Sequence, residues 1–317
     1  MGSVALVFPG QGSQSIGMGR SLADVSPAAA AVFAQADAAL GESISALAWS
    51  GEAAVLDLTV NAQPALLATS VAYFHGLLER RMRASLPALA PAFFAGHSMG
   101  QYSAMVAAGV LSVADGVRLV RERGRLMQAS GQGRDGAMAA IIGLDDERLP
   151  EVEAAGREAG IFTIANRNSP GQVVVSGERS AVEAAVALAK ELGARRAVTL
   201  PVSVAAHSPL MGEAAEGMRR VLADIEFRDP SAPLVANADA RPLLTGEACR
   251  AELVDHLTTG VDWVSAVRAM ERAGVESFVE VGPGRVLTGL IKRIAPDRDV
   301  IALDDPDAPG RLALPEL

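Results

Sequence analysis

The sequence predicts an α/β protein in which a mostly parallel sheet flanked by helices is interrupted by a smaller sheet unit. Short β-branched, apolar runs alternate with segments of helical periodicity along most of the chain. A strand, a serine turn and a helix follow one another over 93–108. Between 138 and 202 the order becomes β-α-β-β-α-β, a unit complete in itself.

Residues 4–8 (V-A-L-V-F) form a first strand, ended by Pro9-Gly10-Gln11-Gly12. The glycine spacing there fits neither a dinucleotide fingerprint nor a P-loop, so a nucleotide fold is not expected, and Gln11 is left to offer a donor to a neighbouring site. Ser26-Pro27 reads as an N-cap with proline at the first helical position, opening an alanine-rich helix to about residue 40. A second long helix is predicted to begin near Gln63-Pro64 and to carry Leu66, Leu67, Val71, Phe74 and Leu78 on one face. After a strand at 92–95 come the G-x-S-x-G turn at 96–100 and a helix over 101–108. Ser112 then caps a helix bearing Val117, Val120, Arg123, Leu126 and Met127; Arg123 falls on or beside its apolar face, either snorkelling or held for a purpose.

The inserted unit has strands at 138–143, 161–165, 172–177 and 196–202 and helices at 145–159 and 179–192, a ferredoxin-like pattern. It defines a small subdomain over 131–202, set into a larger one made of 1–130 and 203–317. Beyond it, Pro209 opens a helix to about 224, a short strand covers 234–237, and helices cover 252–257 and 262–273. A strand at 277–281, a G-P-G turn, a helix at 285–294 and a last strand at 300–303 follow; Pro306, Pro309 and Pro315 mark an irregular tail.

Composition excludes several classes. With 317 residues the chain can bury a substantial core, and although 50% of it is hydrophobic, no run approaches the roughly 20 apolar residues of a membrane span. The first residues run directly into a strand, without the charged start and apolar core of an export signal, so a cytoplasmic protein that does not engage membrane is expected. A net charge of −9 argues against nucleic acid as a partner. Basic pairs such as Arg195-Arg196 and Lys292-Arg293 are either solvated faces or a docking patch for an acidic partner. The single cysteine, Cys249, and four widely spaced histidines (75, 97, 207 and 256) give no disulfide and no metal-ligand spacing, so neither a metal nor a bound cofactor is expected.

Chemistry points to Ser98. A serine on a sharp strand-to-helix turn needs small neighbours two residues either side, and Gly96 and Gly100 stand there. Its hydroxyl would lie at the positive end of the following helix, where the N–H of Met99 can face a developing oxyanion. Such a serine needs a base. His97 adjoins it on a turn where neighbouring side chains diverge, and His75 and His256 fall on helices; His207 follows an extended stretch and begins a helix, the loop-end position where a base is usually displayed.

Eight motifs in order, G-Q-G-S-Q at 10–14, Q-P-A-L at 63–66, G-H-S-M-G-Q-Y-S-A at 96–104, R-G-R-L-M at 123–127, G-A-M-A-A-I-I-G-L at 136–144, N-S-P-G-Q-V-V-V-S-G at 168–177, L-P-V-S-V-A-A-H at 200–207 and E-V-G-P-G-R-V-L at 280–287, resemble the malonyl-CoA:acyl carrier protein transacylases. The likeness spans nearly the whole chain. It implies an α/β-hydrolase-like large subdomain, a ferredoxin-like small one and an active site in the cleft between them. By the same resemblance Ser98 is the nucleophile, His207 the base, Gln11 and the N–H of Met99 the oxyanion hole, and Arg123 the partner of the malonyl carboxylate; Gln63 and Asn166 match cleft-lining positions, as ligand contacts or as structural side chains. The implied substrate is malonyl-CoA, a CoA thioester, and the implied partner an acidic, phosphopantetheinylated acyl carrier protein, in fatty acid synthesis; a monomer is expected, although no motif in the sequence speaks to oligomeric state.

Two positions depart from the family pattern. Gln101 replaces the usual glutamate and is expected to be peripheral. His256 replaces a glutamine near the main-chain carbonyl that orients the base; it is a spectator, the source of that carbonyl or a tuner behind the base, and no triad acid is evident. Ala206, just before the base, is small enough not to exclude a branched malonyl group by its own bulk. The rival readings are a serine esterase or thioesterase, a stand-alone acyltransferase of a polyketide assembly line, and a non-catalytic carrier-binding module.

Overall fold

A computed structural model describes residues 3–131, 135–200, 202 and 204–304. In chain order its strands are β1 (Ser3–Phe8), β2 (Phe93–Gly96), β3 (Gly136–Ile142), β4 (Phe162–Ser169), β5 (Gln172–Glu178), β6 (Arg196–Thr199), β7 (Leu234–Val235), β8 (Pro242–Leu243), β9 (Val261–Asp262), β10 (Val275–Glu280) and β11 (Asp299–Ala302). They form a six-stranded sheet of order β11-β10-β1-β2-β7-β8 and a five-stranded sheet of order β6-β3-β5-β4-β9.

The large sheet is parallel from β11 to β7, and β8 closes it antiparallel. Its centre, β1, has a strand on each side and helices over both faces, which is why it reads as an unbroken apolar run. Successive residues serve opposite cores: Leu6 and Phe8 join Phe94 on one face, while Ala5 and Val7 join Ala95 and Trp263 on the other. In the small sheet the four strands of the inserted unit are antiparallel in the ferredoxin-like order, and β9, from far along the chain, adds a parallel edge to β4. One face packs Ala139, Ile141, Val173 and Val175 under the helices Leu149–Ala159 and Arg179–Glu191. The other turns Met138 and Val174 toward a cleft against the large sheet.

The second long helix runs Thr59–Arg83, so it starts before the predicted Gln63-Pro64 and carries Pro64 inside it. Proline lacks the N–H that would bond the Val60 carbonyl, and Arg121 Nη1 donates to that carbonyl instead, at 2.8 Å. A tertiary contact thus fills the gap that makes proline read as a helix start. The predicted helix at 145–159 is a 3₁₀ turn, Asp146–Arg148, followed by an α-helix that places Pro150 in its first turn. The strand predicted at 196–202 ends at Thr199, although Leu200 N–H still reaches Met138 C=O.

Helices Arg20–Val25, Ile44–Ser50 and Ala53–Leu56 and the two-residue strands β8 and β9 escape prediction, each too short to show a period. The proline-bearing tail, 305–317, lies outside the described residues, as do Pro201 and Ser203 of the stretch before His207. Among the described residues no helix is long and apolar enough to cross a membrane.

Candidate active site

The carboxyl ends of β1, β2 and β7 converge on the turn carrying Ser98. A side chain at Gly96 would put its Cβ 2.0 Å from the Gly100 carbonyl carbon, and one at Gly100 would sit 2.2 Å from Phe8 O, which is why the turn needs both glycines. Ser98 itself has φ +50°, left-handed backbone that a non-glycine residue adopts only when its surroundings enforce it. Both polar groups of the Gly96 backbone are gripped by side-chain amides. Gln101 Oε1 accepts from Gly96 N, and Asn237 Nδ2 donates to Gly96 O. Gln101 also donates to Val235 O and is fully buried, so the expectation that it is peripheral is corrected: it ties β2 to β7.

His207 reaches the serine from the far side of the cleft, with Nε2 2.8 Å from Ser98 Oγ. Its Nδ1 lies 2.9 Å from the carbonyl oxygens of both His256 and Thr259, which fixes the proton on Nδ1 and leaves the Nε2 lone pair for the hydroxyl. Carbonyls do the orienting, and among the described residues no carboxylate bonds the imidazole. Burial first, then the charge of Arg123, pushes the His207 pKa down to about 3, against the lifting effect of its Nδ1 carbonyl partners.

Arg123 is 1% exposed on the helix Val113–Gly131. Its Nη2 donates to Ser98 Oγ at 3.2 Å, its guanidinium lies 5.8 Å from the Tyr102 ring centre, and its Nε is buried without a partner. Among the described residues no carboxylate pairs with it. A buried cation left without an anion is costly unless a ligand brings one.

These groups share a cavity of about 850 Å³ between the two sheets, lined among others by Gln11, Ser98, Met99, Arg123, Asn166 and His207. Gln11 is held by Thr59 Oγ1 at 3.2 Å, and Met99 precedes the helix Gly100–Ala107, where the N–H groups of Gly100, Gln101 and Tyr102 bond back to the carbonyls of His97, Ser98 and Met99. Asn166 lies on β4, and its neighbour Asn168 meets His97 Nε2 at 2.8 Å, which turns that imidazole away from the serine. Gln63 stands one layer back: fully buried, it contacts Met127 Sδ, which lines the cavity.

His256 caps the helix Gly246–Asp255 with its ring 5.4 Å from that of His207. Burial, then the charge of Arg123, holds its pKa well below the ordinary imidazole range. Asn237, Tyr102 and Asn168 have no role in the sequence reading, and Gln101 figures there only as peripheral. For Asn237 a signal existed, since a polar residue just past the carboxyl end of a parallel strand is where such sheets place their sites. A separate hollow of about 640 Å³ beside Asp135, Glu178, Arg179 and Ser180 contains no histidine to serve as a base.

Fold and dyad together describe an α/β enzyme of the serine acyl-handling class. Residues 5–301 match the family model described as acyl transferase domain. Over 308 residues the chain is 46% identical to the malonyl CoA-acyl carrier protein transacylase of Escherichia coli (strain K12), covering 97% of this chain and 98% of that one. It is similar to the crystal structure of acyl-carrier-protein-S-malonyltransferase from Bartonella henselae, at TM-score 0.93 and 40% identity, covering 99% of this chain and 100% of that one. A malonyl-transacylase in complex with its type II PKS acyl-carrier protein superposes at TM-score 0.89 and 42% identity, covering 96% and 97%. The chain belongs to the acyl transferase family, among its malonyl-CoA:acyl carrier protein transacylases.

Proposed function

We propose that the protein moves a malonyl group from malonyl-CoA to the phosphopantetheine thiol of an acyl carrier protein, through an ester on Ser98, in the cytoplasm and for fatty acid synthesis. In the first half-reaction His207 Nε2 takes the hydroxyl proton while Ser98 Oγ attacks the thioester carbonyl. The Met99 N–H and Gln11 stabilise the oxyanion. The C–S bond then breaks, and CoA leaves as its thiol with the proton from the imidazolium. In the second half the carrier thiol gives its proton to His207 and attacks the ester, restoring Ser98. Throughout, Arg123 binds the free carboxylate of the malonyl group, and Asn166 lines the path of the incoming arm.

One observation carries the reading: a buried guanidinium that no carboxylate of the described residues meets, 3.2 Å from the hydroxyl that would bear the acyl group. An esterase for uncharged acyl groups would have no use for it.

We assign 131–202 as the small subdomain, with 1–130 and 203–317 as the large one, and the enzyme as a monomer. Docking of an acidic carrier is assigned to the open end of the small sheet, where Arg196, Ile142 and Gln172 share one row across β6, β3 and β5. Gln172 lines the cavity and is met by Arg293 Nη2 at 3.2 Å, so Arg196 and Arg293 flank one end of it. A second reading, service to a polyketide carrier, is favoured by the likeness to the malonyl-transacylase solved with a type II PKS acyl-carrier protein. Incubation with labelled malonyl-CoA and a panel of holo carrier proteins separates these outcomes. Transfer to a fatty-acid carrier faster than to polyketide carriers is expected; free malonate formed at the same rate with or without any carrier would overturn the proposal.

A further inference from the structure

We infer that Asn237 is a positioning residue that keeps nucleophile and base in register, an inference that rests on the reading of Ser98 and His207 given above. The Ser98 backbone is in a conformation that persists only where neighbours over-determine it. Asn237 brackets that turn, its Oδ1 accepting from Ser98 N at 2.9 Å and its Nδ2 donating to Gly96 O at 2.9 Å.

The same Oδ1 lies 3.2 Å from His256 Nε2, and the main-chain carbonyl of His256 accepts from His207 Nδ1. A closed circuit results: Ser98 N, Asn237, His256, His207 and back to Ser98 Oγ. Because Ser98 N–H can only donate and Gly96 C=O can only accept, the amide cannot be flipped. His256 therefore carries its proton on Nε2, and its buried Nδ1 has no hydrogen-bond partner among the described residues.

Asn237 is itself anchored. It is buried, its N–H donates to Glu252 Oε1 at 2.7 Å, and its carbonyl accepts from Asp262 N at 2.7 Å. Glu252 in turn faces Arg241 at 3.5 Å. Aspartate at 237 would keep the volume but turn an oxygen against the Gly96 carbonyl, and alanine would remove all three side-chain bonds. Neither substitution touches the acyl or CoA moiety, so substrate binding through Arg123 should survive.

The test measures Ser98 acylation by malonyl-CoA in rapid-quench experiments, with rates expressed per active site titrated by the burst of released CoA. For Asn237→Ala the acylation rate per titrated site should fall by about 10²-fold with KM for malonyl-CoA within about threefold of wild type, the consequence expected when reacting atoms are displaced by about 1 Å. Should the alanine variant not fold, Asn237→Asp carries the same test, with a loss of about tenfold or more expected. A per-site rate within about threefold of wild type in a folded variant overturns the inference, as does a loss confined to KM. Wild-type labelling lost in Ser98→Ala keeps the two readings separate: label retained in Ser98→Ala defeats the assignment of the nucleophile, whereas normal Ser98 labelling in the Asn237 variants defeats only the positioning role.

Discussion

Burial strips Arg123 of hydration, and none of the described residues supplies it a carboxylate, so an acyl group that carries one gains a charge-assisted, two-pronged contact that an acetyl group lacks. Arg123→Ala should therefore lower kcat/KM for malonyl-CoA by about 10²-fold, or about 2.7 kcal/mol, and leave acetyl transfer little changed. Parallel steady-state assays with both thioesters decide this, and equal losses would count against the assigned role. His207 accepts a proton only as a neutral ring, and its pKa lies at about 3. As pH falls from about 8 to about 5, kcat/KM, which reports the free enzyme, should stay level. Once the malonyl carboxylate neutralises Arg123, one cause of that depression is removed, so the limb in kcat should lie at higher pH than the limb in kcat/KM. An inflection of kcat/KM near about 6.5, the ordinary imidazole value, would contradict the burial argument. Ser98 was legible because its chemistry imposes a local pattern of glycines, and Arg123 because a charge on an apolar helix face is conspicuous. Asn237 offered only its place just past a short strand, since its partner Ser98 is 139 residues away and a lone asparagine carries no period.

At the scale of elements, the elbow is held by more than its glycines. Gln101 stands in the first turn of the helix after Ser98, accepts from Gly96 N–H and donates to Val235 C=O, bridging two backbone groups in a buried seam. Gln101→Ala should lower unfolding stability by about 2–4 kcal/mol, measurable by urea titration; a loss under about 0.5 kcal/mol would mean that water or a rearranged loop replaces both bonds. The sequence showed a polar residue next to a catalytic turn and nothing of its two backbone partners. Caps written in adjacent residues fared better, as at Ser26, whose hydroxyl accepts from Ala29 N, and at Ser112, which accepts from Asp115 N. The start of the helix Thr59–Arg83 was misplaced for the converse reason, because the guanidinium that stands in for the missing proline bond comes from another helix.

Across the whole molecule, the site exists because two sheets of different design face each other, one parallel and covered on both sides, the other antiparallel with one face left open to the cleft. Local order in the chain announced both units, but β9 pairs Val261 with Asn166 across a long stretch of sequence and was invisible there. Housing uncharged imidazoles in this cleft links stability to pH. His207 and His256 have depressed folded-state values, so the unfolded chain binds more protons than the folded one below about pH 6.5; stability is complete above that value and declines as pH falls toward about 3 for His207. Glu252 and Glu280, raised by burial, act in the opposite sense, so the contribution of one histidine is best isolated by difference. In His256→Gln the drop in Tm between about pH 7.5 and about pH 5 should be smaller than in wild type; an identical drop would mean that His256 does not titrate differently on unfolding.

Peptide mapping by mass spectrometry, on protein quenched after brief exposure to malonyl-CoA with and without holo carrier protein, reaches the chemistry most directly. The predicted result is a malonyl ester on the peptide bearing Ser98, absent from Ser98→Ala and discharged by the carrier thiol much faster than by water. An adduct on another residue, or a Ser98 ester that water removes as fast as the carrier does, would contradict it.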